Sequence, residues 1–145
     1  MTTKEKILEL ERQGIFLFHG SPEKLESLEP RQAYTWKNNI KTEDDKPAVF
    51  TSKYSDIAIF MALINKENIK ETFRSGYGSL NGKIEFRLSK ETKDKLLNLK
   101  GYLYVFDKKD FEQRNSAEFI SYRIVKPIKI VEIDETFLPK DINYI

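Results

Sequence analysis

Cysteine is absent from the 145 residues. Disulfides, thiolate nucleophiles and zinc sites built on sulfur are therefore excluded. Histidine is nearly absent too. His19 is the single copy, and one imidazole without thiolates is a poor start for a metal site, so none is expected. No apolar run approaches the ~20 residues that a membrane span needs. The longest, residues 57–64, suits a buried helix, and no membrane partner is expected. The opening residues are charged and no apolar stretch of leader length follows them, so the expected location is cytoplasmic, in line with the missing cysteine. Neither GxGxxG nor GxxxxGK[ST] occurs, which removes the common dinucleotide and phosphate cradles. Charge of one sign is also lacking: 25 basic against 23 acidic residues leave a net +2, which neither demands nor forbids a nucleic-acid partner.

What is present is the composition of a folded chain. Hydrophobic residues make up 39% and charged residues 33%, with ten Phe and seven Tyr. The length fits one domain, residues 1–145, and neither repeat nor low-complexity segment divides it. Residues 3–12 read as a helix stopped by Gly14. Residues 15–18 form a short apolar strand, broken by His19-Gly20-Ser21-Pro22. Residues 21–46 read as irregular or weakly helical, with a mobile loop at 36–45. A second strand, 48–51, leads into a buried helix capped by Ser52 or Ser55 and running to about residue 65. Turns are expected at 76–79 and 81–82, a half-buried strand at 83–88 and a helix at 91–99. Strands at 102–106, 118–125 and 128–133 close the chain, with Pro127 between the last two. Mixed elements followed by mostly strand favour an α+β fold with largely antiparallel sheets.

Two residues stand out chemically. His19 sits where an apolar strand gives way to glycine. That position suits a ligand-facing side chain, and equally a polar strand end. Glu118 opens Glu118-Phe119-Ile120-Ser121-Tyr122. Alternation puts it on one face with Ile120, Tyr122 and Ile124, as a site carboxylate or as a strand-end charge.

The chain order Phe18-His19-Gly20-Ser21, then Val49-Phe50-Thr51 with a helix reaching Phe60, then Glu118-Phe119-Ile120-Ser121-Tyr122 resembles the poly(ADP-ribose)-polymerase and diphtheria-toxin-like branch of the ADP-ribosyltransferases. That branch carries a His, a Tyr and usually a Glu on separate strands or strand ends. The resemblance spans roughly residues 15–133. It implies two small antiparallel sheets packed around an NAD-binding cleft with flanking helices. It also implies transfer of ADP-ribose from NAD to a protein or nucleic-acid acceptor, with no metal. Residue by residue, His19 would bond the adenosine ribose, Gly20 the carboxamide through its backbone, and Phe60 would lie against the nicotinamide ring. Ser21 belongs to the same motif, Phe50 stands in the second aromatic region, Ser52 or Ser55 would support the amide, and Glu118 would be the catalytic glutamate. Phe50 and Phe60 depart from the family's tyrosines and lack the hydroxyl. Two alternatives stay open: a related RNA 2′-phosphotransferase, with Arg31 as its phosphate ligand, and a catalytically silent nucleotide-binding module. Residues 31–46 and 108–115 are the expected acceptor-facing surfaces. Lys, Ile and Asn usage suggests a bacterial or phage origin, which suits a toxin or defence role.

Overall fold

Thr2 opens the first helix, α1 (Thr3–Gln13), with a reciprocal capping box to Glu5, which satisfies two donors that a helix start leaves unpaired. Gly14, at φ 71°, closes it, a backbone conformation that costs glycine nothing. The computed structural model describes residues 1–80 and 83–145, and the backbone alone for residues 35–37, 44, 45 and 80. After α1 come β1 (Phe16–Ser21), β2 (Arg31–Lys37), β3 (Ile40–Ser52), α2 (Ser55–Leu63), β4 (Ser75–Leu80), β5 (Lys83–Leu88), β6 (Lys100–Asp107), β7 (Glu112–Gln113), β8 (Glu118–Ser121), β9 (Lys129–Asp134) and β10 (Ile142–Tyr144).

The fold is α+β with two mainly antiparallel sheets among the described residues. The larger runs β7-β8-β3-β1-β6-β9, with β2 added on β3; the smaller runs β10-β5-β4. Among the described residues only β10 and β5 pair in parallel. Helix α2 packs on one face of the larger sheet. Its buried residues Ile57, Ala58, Ile59, Phe60, Ala62 and Leu63 share a core with Phe18, Leu103 and Val105. The close fit depends on glycine: a Cβ on Gly20 would stand 1.9 Å from the Ala58 carbonyl oxygen. The other face of the sheet carries a second, smaller core of Leu28, Val49, Tyr104 and Phe106. No helix among the described residues is long and apolar enough to cross a membrane.

Several expectations need correction. Residues 22–30 are irregular, as expected, but 31–46 are not: β2 and β3 form a hairpin, turning at Asn38 and Asn39. Both asparagines have positive φ, 51° and 64°, the requirement of a two-residue type I′ turn, which asparagine tolerates. Residues 76–79 are strand β4, not a turn. The helix expected at 91–99 is one short 3-10 segment, Lys90–Lys95. Strand β8 ends at Ser121 instead of residue 125, because the chain bends so that Val125 exchanges main-chain bonds with Leu28. Neither Ser52 nor Ser55 caps α2: Tyr54 holds the N-cap position and makes no side-chain cap. The turn expected at 81–82 lies outside the described residues.

Candidate functional site

β1 is paired with β3 at Phe18 and Ser52, and the same row continues to Glu118, opposite Ser52 on β8. Beyond Phe18, the strand stays with β6, where His19, Gly20 and Ser21 oppose Tyr104, Leu103 and Tyr102. A gap opens between β1 and β3, and the His19 ring reaches into it. His19 Nδ1 lies 2.7 Å from the Phe50 carbonyl oxygen. A carbonyl only accepts, so Nδ1 carries the proton and Nε2 is left as an acceptor. Burial pushes the imidazole below its ordinary 6.5; the bond to Phe50 acts the other way, and the Arg31 charge lowers it further. The ring is therefore neutral at pH 7.

Beside the gap runs a trough of about 380 Å³, lined by His19, Gly20, Ser21, Arg31, Val49 and Phe50 among others. That volume falls within the range of small-molecule sites. Its far wall, residues 21–29, is fixed by Tyr104. The Tyr104 hydroxyl donates to the Glu23 carbonyl and accepts from the Leu25 amide, while its ring meets His19 edge-on at 6.0 Å. Tyr104 is fully buried and reads in the sequence as one more core residue of a strand. Nothing in its spacing marks it as a wall support.

Glu118 stands two strands away. Partners directly opposite one another in a sheet share a face, so Glu118 points with Ser52 and Phe18, while His19, one residue on, points to the other side. Arg114 meets the Glu118 carboxylate at 2.9 Å and lies over the Phe50 ring at 5.4 Å. The Asn115 side chain accepts from the Glu118 amide at 2.8 Å, and from that of Ala117, so residues 114–118 form a tight bracket ahead of β8. Glu118 also acts on Tyr77: burial raises the Tyr77 hydroxyl above its usual range, and the carboxylate adds to the shift. Tyr77 lines a second cavity of about 420 Å³ between the smaller sheet and the start of α2, with Tyr54, Phe86, Ser116 and Ala117.

The structure thus gathers His19, Gly20, Ser21 and Phe50 at one trough and brings Glu118 near Phe50 through Arg114. It does not bring Ser55 or Phe60 there. Ser55 is fully buried, and both its amide and its hydroxyl donate to the Glu11 carboxylate, at 2.6 and 2.8 Å. This ties α1 to the start of α2, where a negative charge meets the positive end of the helix dipole. Phe60 packs on Phe86, ring centroids 5.0 Å apart, and is 3% exposed. Ser52 accepts from the Tyr54 amide. No group of three or more His, Asp or Glu able to hold a metal occurs among the described residues. The chain matches no protein-family model, no curated protein and no solved structure.

Proposed function

We propose that the chain transfers ADP-ribose from NAD to a protein or nucleic-acid acceptor and releases nicotinamide. The observation that carries this reading is the row Phe18–Ser52–Glu118. It sets side by side three segments separated by long stretches of sequence, and they are the three that bear the resemblance to ADP-ribosyltransferases. The tautomer of His19 supports it further. Neutral Nε2 accepts, so it suits a ribose hydroxyl and cannot bond an unprotonated phosphate. That weighs against the RNA 2′-phosphotransferase alternative. Arg31 remains as the cation available to a pyrophosphate.

The chemistry asks little of the chain. The nicotinamide ring of NAD is already cationic, so it takes the bonding pair and leaves neutral, and no general acid is needed. An oxocarbenium-like sugar develops instead. A carboxylate helps most while that charge grows, and Glu118 supplies it. One observation favours a second reading, a silent NAD-binding module: Phe60 is turned into the core and offers no stacking face.

Nicotinamide release separates them. Protein incubated with NAD and a bacterial lysate should release nicotinamide, with ADP-ribose appearing on an acceptor by mass spectrometry. NAD binding without release, across protein and nucleic-acid acceptors, would establish the module instead. Absence of both binding and release would end the NAD reading.

A further inference from the structure

We infer that Arg114 is a positioning residue for Glu118, an inference that rests on the transferase reading above. Four observations meet in this one residue. Its guanidinium lies 2.9 Å from the Glu118 carboxylate. The same guanidinium lies over the ring of Phe50, 5.4 Å from its centroid. Its amide donates to the Glu118 carbonyl oxygen at 2.8 Å. The two side chains are largely shielded from water, 27% and 28% exposed, where an ion pair is screened less than on an open surface.

A free glutamate has three rotatable bonds and samples many directions. One paired with a planar cation that is itself laid against an aromatic ring samples few. Arg114 is thus placed to aim the carboxylate, and Phe50 is placed to aim Arg114. Phe50, Arg114 and Glu118 form one connected set at the start of β8, two strands from His19. The arrangement could instead block Glu118, with Arg114 occupying the carboxylate that the substrate needs. The two differ in sign. Loss of a positioning cation slows turnover, and loss of a blocking one speeds it.

The test compares wild type with Arg114→Gln and Arg114→Lys in steady-state nicotinamide release, alongside thermal melting and calorimetric NAD titration. Arg114→Gln should melt as wild type does, bind NAD within about twofold, and lose roughly tenfold or more in kcat with KM little changed. Arg114→Lys keeps the charge and loses the planar guanidinium over Phe50, so it should recover part of the lost kcat. A merely structural residue would lower melting temperature and binding with kcat, and lysine would not restore it; that pattern overturns the inference. Equal or higher kcat in Arg114→Gln overturns it as well, while leaving the transferase reading standing. A wild type that releases no nicotinamide fails the transferase reading, and the inference falls with it.

Discussion

The two ends of the Phe18–Ser52–Glu118 region are held by different physics. At the His19 end the fixing bonds run to main chain: His19 to the Phe50 carbonyl, Tyr104 to residues 23 and 25. At the Glu118 end they are local and include an ion pair, with Arg114 on the carboxylate and Asn115 under the turn. Bonds to buried main chain do not respond to salt and yield only when the strand moves. A part-buried ion pair also holds its side chains in place, but salt weakens it. The trough end is held by bonds that ignore salt, and the Glu118 carboxylate by one that does not.

The largest effect is expected where the wall meets the helix. In Gly20→Ala the new methyl would sit 1.9 Å from the Ala58 carbonyl oxygen, and backbone rather than a flexible side chain must give way. The loss should reach the upper end of overpacking costs, about 3 kcal/mol or more, a large share of a small domain's stability. Denaturant unfolding checks this. Gly14→Ala, with open space around it, should cost only the ~1–2 kcal/mol of a strained left-handed residue.

Next comes Tyr104→Phe. It leaves the Leu25 amide and the Glu23 carbonyl without their partner in a part-buried setting, at about 1–3 kcal/mol. It should also loosen residues 21–29, which faster amide exchange there would report. Unchanged stability and exchange would mean that the trough's wall stands without Tyr104.

The smallest effect is pH-dependent and belongs to His19. Its folded-state pKa lies below 6.5, so the unfolded chain binds the proton first as pH falls. Stability and NAD affinity contributed by the neutral ring are complete well above pH 6.5. The stability declines below it until the lowered folded-state value is passed, whereas the affinity, a property of the folded protein, falls only as pH drops through that lowered value. His19→Gln should remove this component while leaving the acid losses of carboxylates at lower pH. It should weaken NAD binding by about 1 kcal/mol, up to ~3 if a ligand hydroxyl is left unpaired. Calorimetric titration across pH 5–8 measures both, and identical profiles for the two proteins would remove His19 from the site.

The sequence disclosed most where burial is one-sided. The apolar run that becomes β1, the all-round apolar helix α2, the strands β6 and β9, and Gly14 after α1 all carry a hydrophobic period or a stop signal. The β2–β3 hairpin carried neither, since its outer part has no buried face to impose a period of two; the Asn38-Asn39 pair was its one readable mark. β4 was hidden by Gly76 and Gly78, which suggest a turn. In the structure their bare faces lie under the Arg87 side chain. His19 and Glu118 were legible as candidates because each stands at the end of an apolar strand segment in the sequence. Phe60 was legible only as an aromatic, and rotation of its helix face toward Phe86 is a matter of packing between distant elements. Arg114 had no sequence signal: it sits outside any helix, so its approach to Glu118 depends on the turn at Asn115.

The most direct measurement compares wild type and Glu118→Gln in nicotinamide release at saturating NAD, with NAD affinity measured beside it. The substitution keeps size and most of the hydrogen-bonding shape and removes the charge. A transferase that uses Glu118 to support a developing oxocarbenium ion should keep NAD binding within a few-fold. Its kcat and kcat/KM should fall together by about 10²- to 10³-fold. Equal release by the two proteins would show that Glu118 is a strand-end charge, and the site would have no catalytic carboxylate.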